Sequence, residues 1–230
     1  MSIPRIVAMG GGGFLMEPRN PRLDSWILSL ARRRRRRRVL FIPTASGDSE
    51  WAITRFHRSM AKLDCETAHL PLFNRRHVDL RDAVLPHDVI YVGGGNTANM
   101  LAVWRLHGVD ALLREAWQSG TVLCGVSAGA ICWFDGGLTD SYGPELRPLR
   151  GGLAFLPGSF CPHYDGEAAR RPGFTRAIAS GALPPGYAAD DGVGVLFEGT
   201  TFVEAAASRR KVSAYRVERS GETALPTRHL

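Results

Sequence analysis

The sequence predicts an α/β domain around a largely parallel sheet. Short apolar or β-branched runs recur along the chain, and helical patterns separate most of them. Two of these runs, Val89 to Val92 and Thr121 to Gly125, end in glycine-rich turns that lead straight into helical stretches, as strand-to-helix junctions at one sheet edge do. The 230 residues, 44% of them hydrophobic, suffice for one buried core, so a single domain over residues 1–230 is expected.

The elements follow in order. Ile3 to Met9 reads as a first strand running into Gly10-Gly11-Gly12-Gly13, and a helix follows near Pro21 to Arg34. Val39 to Ile42 is a second strand, ending in the turn-rich stretch Pro43 to Asp48. Glu50 to Leu63 is amphipathic, with Trp51, Phe56, Met60 and Leu63 at helical spacing. A strand is expected near Thr67 to Phe73, and the short apolar run Val89 to Val92 precedes a helix from Ala98 to about Arg105. A further helix, Val109 to Ser119, leads into the strand Thr121 to Gly125. Beyond Ala130 the pattern loosens: one helix is expected from Glu167 to about Ser180, and Val193 to Phe197, Thr201 to Ala205 and Val212 to Val217 read as strands.

Composition narrows the function. The formal charge of +7 comes from the seven consecutive arginines Arg32 to Arg38; without them 22 basic residues stand against 22 acidic ones. The basicity belongs to one segment, expected as a solvated turn at a helix C-terminus, and neither a nucleic-acid nor a membrane partner is expected. Cys65, Cys124, Cys132 and Cys161 show no C-x-x-C spacing, and the seven histidines form no H-x-H or H-E-x-x-H pair, so no zinc site and no cofactor are expected. Free, buried thiols, an N-terminus without the apolar run of a secretion signal and the lack of an apolar membrane-length stretch lead to a cytoplasmic location.

Gly125-Val126-Ser127-Ala128-Gly129 is G-x-S-x-G directly after an apolar strand. A sharp strand-to-helix turn crowds its backbone, so small residues flank the serine and its hydroxyl projects above the sheet edge. The amide of Ala128 is then the natural oxyanion donor. Gly93-Gly94-Gly95 ends the neighbouring strand and brings backbone close to the same crevice; Gly94, Gly95 and Asn96 are the expected oxyanion and substrate-binding stretch. Neither glycine cluster is a phosphate loop: Gly93 to Gly95 lacks G-x-x-x-x-G-K-[ST], and Gly10 to Gly13 lacks the dinucleotide spacing and an acidic residue about 20 positions on.

A serine nucleophile needs a base. His163, in the apolar loop Leu156 to Asp165 with its two prolines, is the histidine best placed in sequence to be held in one pose. A carboxylate must fix its tautomer, and two candidates stand in glycine-rich loops, Asp140 and Asp191. The residues do not choose between them.

In that order, Gly93-Gly94-Gly95-Asn96-Thr97, Gly125-Val126-Ser127-Ala128-Gly129-Ala130 and Pro162-His163-Tyr164 resemble the dipeptidase E and cyanophycinase family of serine peptidases, over about Val7 to Phe197. The resemblance implies a three-layer sandwich of the class I glutamine amidotransferase-like type, with Ser127 as nucleophile, His163 as base and Gly94 with Ala128 as oxyanion donors. Its acid matches neither candidate cleanly: Asp140 has a shifted spacing, and Asp191-Gly192 carries aspartate where some members have glutamate. The resemblance further implies a short-peptide substrate. For aspartyl dipeptides it asks for a cation, for which Arg147, Arg150, Arg170 and Arg171 are candidates. A homodimer is left open. The alternatives are an α/β-hydrolase-like esterase, using Asp140 as acid in the order Ser127, Asp140, His163, and a non-catalytic domain binding an acidic partner through Arg32 to Arg38.

Overall fold

The structure is a computed structural model that describes residues 3–32, 36–75 and 79–230. The chain begins with β1 (Arg5–Met9), whose end turns through the glycine run into the single-turn α1 (Gly13–Met16) and then α2 (Arg22–Leu30). β2 (Arg37–Ile42) leads to α3 (Glu50–Met60), capped by the Ser49 hydroxyl on Ala52 N, and then to β3 (Cys65–His69). α4 (Leu80–Val84), β4 (Val89–Val92), α5 (Thr97–His107), α6 (Val109–Gln118) and β5 (Val122–Val126) complete the βα alternation.

These strands form most of an eight-stranded sheet. From β3 inward, β2, β4, β5 and β1 run parallel; β10 (Val193–Glu198) then pairs antiparallel with β1, β11 (Thr201–Ala207) antiparallel with β10, and β14 (Thr227–His229) lies at the far edge. The pleat sorts the side chains to two faces. Ile6, Ala8, Leu40, Ile42, Ile90, Val92 and Leu123 pack under α5 and α6 together with Trp104 and Trp117. Val7, Met9, Val39, Phe41, Val89, Tyr91 and Cys124 pack on the other side under α1, α2 and α3 with Phe14, Trp26 and Phe56. Helices on both faces of the largely parallel sheet that the sequence predicts make the three-layer α/β sandwich that the resemblance implies.

The rest of the chain adds a second, mixed sheet that sequence periodicity leaves as loosely patterned strands and turns. After the one-turn α7 (Ala128–Ile131) come β6 (Phe134–Thr139), β7 (Arg147–Arg150), β8 (Leu156–Cys161), α8 (Arg170–Ala179) and β9 (Gly186–Ala189). With β12 (Ala214–Glu218) and β13 (Gly221–Leu225) the sheet order is β13-β12-β9-β8-β6-β7. Trp133, Phe134, Phe160 and Phe197 join its core to that of the first sheet.

Three expectations change here. Leu156 to Cys161, read as part of an apolar loop, is a strand, because its backbone pairs in parallel with β6 and β9. The third strand stops at His69 and does not reach Phe73. The arginine segment is not wholly a turn: Arg37 and Arg38 open β2, paired with Cys65 and Glu66 of β3, and Arg38 N donates to the Asp88 carboxylate at 3.0 Å. Residues 33–35 of the run lie outside the described residues. The four cysteines are free and buried. No helix of the described residues is long and apolar enough to cross a membrane.

Candidate active site

Ser127 closes β5 with φ 57° and ψ −116°, a conformation that costs a non-glycine residue on the order of 1–3 kcal/mol. The neighbourhood holds it there. Its N–H donates to Met9 O at 3.2 Å, and its carbonyl accepts from Ala130 N and Ile131 N at 2.9 and 3.1 Å. The flanking glycines are steric necessities: a Cβ on Gly129 would lie 2.5 Å from Val92 O, and one on Gly125 would run into the Gly129 backbone. Ala128 begins a single-turn helix, so its N–H has no acceptor within that helix. Gly94 faces the serine directly, since a Cβ there would come within 3.2 Å of Ser127 Cβ and 3.8 Å of Ser127 Oγ.

His163 follows β8 and is likewise left-handed, with φ 52°. Its N–H donates to Gly10 O at 3.3 Å, the peptide next to the one that holds Ser127. Carbonyls of successive strand residues point to opposite sides, so Met9 reaches toward β5 and Gly10 toward β10. Serine and histidine backbones are therefore tied to successive carbonyls at the end of β1.

The third group enters from just ahead of β10. Asp191 Oδ1 lies 2.6 Å from His163 Nδ1, with both side chains mostly buried. Gly192 N donates to Gly11 O at 3.0 Å, and Asp191 pairs in parallel with Gly11. The carboxylate is wedged between two glycines: a Cβ on Gly11 would overlap Oδ1, and one on Gly166 would come within 2.5 Å of Oδ2. The hydrogen bond to His163 pulls the Asp191 carboxyl below its ordinary value against the opposing effect of burial, and the charges of His163 and Arg209 add to the pull.

The four-glycine run thus carries the whole arrangement, although the sequence offers it only as a rejected nucleotide loop. Gly10 lies so close to the Ala189 and Asp190 carbonyls that no side chain fits, and a Cβ on Gly13 would come 3.0 Å from Asp24 Oδ1. Asp24 is 3% exposed beneath that turn. Burial pushes its carboxyl up to about 7.

Other expected site residues lie elsewhere. Asp140 is exposed at the end of β6, where its carbonyl accepts from Gly143 N at 3.2 Å; the place beside His163 Nδ1 is filled by Asp191. Asn96 is a helix cap and not a free substrate ligand, because Oδ1 accepts from Asn99 N and Nδ2 donates to Ser141 O, both at 2.9 Å. Gly95, at φ 137°, is pressed against the Ala45–Ser46 peptide. The four candidate cations all have partners within the fold: Arg147 with Glu145, Arg150 with the Gly181 and Ala182 carbonyls, Arg170 with Glu167 and Leu138 O, and Arg171 with Glu222. Two residues at the site went unread in the sequence. Asp165 accepts from Asp191 N at 2.7 Å, and Arg209 donates to the Asp191 carbonyl. Asp165 stands two residues from His163, a proximity that could have drawn attention to it; Arg209 carries no local signal.

Known proteins resemble the chain over most of its length. An uncharacterized peptidase, YgaJ, of Bacillus subtilis (strain 168) is 50% identical over 230 residues, covering 98% of this chain and 99% of that protein. A Peptidase E of Shewanella denitrificans is 32% identical over 142 residues, 60% of this chain and 59% of its own. Among solved structures, a peptidase from an acI-B1 Actinobacterium superposes with a TM-score of 0.68 at 19% identity, covering 98% of this chain and 95% of that one. A putative Peptidase E protein from Listeria monocytogenes EGD-e gives 0.63 at 16% identity, covering 88% and 98%. The model of peptidase family S51 matches residues 6–205, nearly the whole α/β framework with Ser127, His163 and Asp191 inside it, and the chain belongs to that family.

Proposed function

We propose that the protein is a serine-type peptidase that hydrolyses short peptides through an acyl-enzyme on Ser127. The observation that carries the reading is the 2.6 Å contact between His163 Nδ1 and Asp191 Oδ1, on a loop whose backbone is tied to the peptide next to the one anchoring Ser127. Asp191 holds the ring in the tautomer with the proton on Nδ1, which leaves Nε2 to accept the Ser127 proton. Ser127 Oγ then bonds to the scissile carbonyl carbon, and the amides of Gly94 and Ala128 receive the negative oxygen. His163 passes the proton to the departing amine as the C–N bond breaks. Water repeats the cycle: its proton goes to His163, its oxygen attacks the acyl ester, and the proton returns to Ser127 Oγ.

The order of the three residues along the chain is Ser127, His163, Asp191. An α/β-hydrolase places its acid before its histidine, so the esterase alternative loses the Asp140 on which it rested. The pairing of Arg147, Arg150, Arg170 and Arg171 within the fold supports short peptides in general over aspartyl dipeptides read by one of those four. Free thiols at all four cysteines fit a reducing, cytoplasmic setting.

Ser127→Ala, assayed against a panel of dipeptides and tripeptides, should lower kcat by roughly 10⁴- to 10⁶-fold with an unchanged thermal midpoint. Activity close to wild type on every cleaved peptide would remove the assignment.

A further inference from the structure

Behind the histidine and the aspartate lies a second layer of charged and aromatic side chains that the reaction does not itself use. Tyr164 follows His163, is 2% exposed, and donates its hydroxyl to Glu222 Oε2 at 2.6 Å. Asp190 precedes Asp191, is 4% exposed, and accepts from Ser213 N at 2.8 Å and from the Tyr215 hydroxyl at 3.4 Å. Its other oxygen, Oδ1, is buried without a partner among the described residues. Arg171 of α8 joins the two halves: its guanidinium stands 5.2 Å from the Tyr164 ring and 4.8 Å from the Tyr215 ring, and its Nε donates to Glu222 at 2.9 Å.

Tyr215 and Glu222 belong to the β12–β13 hairpin, whose outer strand is almost wholly exposed. β12 is tied to β9 by its backbone ladder and buries Ala214 and Val217, whereas the exposed β13 has β12 as its strand neighbour. Through Glu222 the cluster anchors that outer strand, and it does so at the neighbours of His163 and Asp191.

We propose that Tyr164, Arg171 and Glu222, closed by Tyr215 and Asp190, form a brace through which the β12–β13 hairpin sets the mutual orientation of the His163 ring and the Asp191 carboxylate. Tyr164 and Arg171 are positioning residues. The inference rests on the peptidase reading, in which those two groups act together. Misplacement of a base by a fraction of an ångström costs rate more than substrate affinity.

The test uses the full chain and the dipeptide that the wild type cleaves fastest. Tyr164→Phe, which removes one oxygen, should lower kcat roughly 10- to 100-fold and leave KM within about twofold. Arg171→Met should match it, and Arg171→Lys should recover part of the rate. Glu222→Gln, on the exposed strand, is the variant safest for folding and should act in the same direction. The Nδ1–H proton resonance of His163 should shift or broaden in Tyr164→Phe, a readout that does not need turnover. Wild-type kcat and Nδ1–H resonance in Tyr164→Phe and Arg171→Met, with Ser127→Ala inactive, would overturn the brace alone. Full activity in Ser127→Ala would overturn the peptidase reading instead, and an unaltered resonance would then still dispose of the brace.

Discussion

Three aspartates differ in what surrounds them, and their expected behaviour differs accordingly. Asp191 touches His163 Nδ1, whereas Asp140 faces solvent. Asp191→Asn should therefore lower kcat by about 10⁴-fold by favouring the wrong tautomer, while Asp140→Asn should stay within about twofold of wild type. Steady-state kinetics on the same peptide separates the two. Asp24, pushed up to about 7 by burial, reports on stability. Between pH ~4 and ~7 the folded chain keeps that proton and the unfolded chain has lost it, so stability falls as pH rises through this window. The contribution of Asp191, held low, has the opposite sign: it is present above the ordinary carboxylate range and lost as pH falls through the folded value. Asp24→Asn, which keeps an acceptor and cannot ionise, should raise stability at pH 8 by up to roughly 4 kcal/mol and hardly change it at pH 4. Urea midpoints at the two pH values measure the difference.

The elements that assemble the site were unequally legible in the sequence. The serine turn could be read because its requirement is steric and local: Gly125 and Gly129 stand where any Cβ would strike backbone. The strands of the parallel sheet could be read because both faces are buried, which makes them continuous apolar runs. The acid could not be chosen, since Asp140 and Asp191 both follow turn chemistry and only the β1–β10 pairing brings one of them to the histidine. Leu156-Pro157-Gly158-Ser159-Phe160-Cys161 hid as a loop because proline and glycine argue against a strand, yet its last residues pair with β9. Among the turns, Gly94 gives the sharpest test. An added methyl would press on Ser127 at 3.2 Å, so Gly94→Ala should cost roughly 10- to 100-fold in kcat, with a thermal midpoint lowered by only a few degrees.

For the molecule as a whole, the charge arithmetic makes a separate claim. The excess of +7 lies in one arginine segment at the start of β2, at the opposite end of that strand from the loops that carry the site. Two of its described members pair with surface acids, Arg36 with Asp64 and Arg38 with Glu66, at half-exposed positions where an ion pair is worth about 0–1 kcal/mol. Replacing Arg36 and Arg38 with Gln should leave kcat/KM within about twofold and stability within about 1 kcal/mol. Should the change instead abolish a salt-sensitive association with RNA that Ser127→Ala retains, the acidic-partner alternative would gain the ground that the peptidase loses.

The antiparallel placement of β10 beside β1 has its own consequence. At that sheet edge one neighbour is leaving the layer and the other is entering it, so Ser127 comes after its strand while Asp191 comes before its own. A slip of a single residue between β1 and β10 would turn the acid to the opposite side of the layer, with every individual residue intact. Alignment of the two strands is thus a catalytic variable, and inserting one residue between Gly192 and Val193, or deleting Gly192, should silence the enzyme as thoroughly as removing the carboxylate.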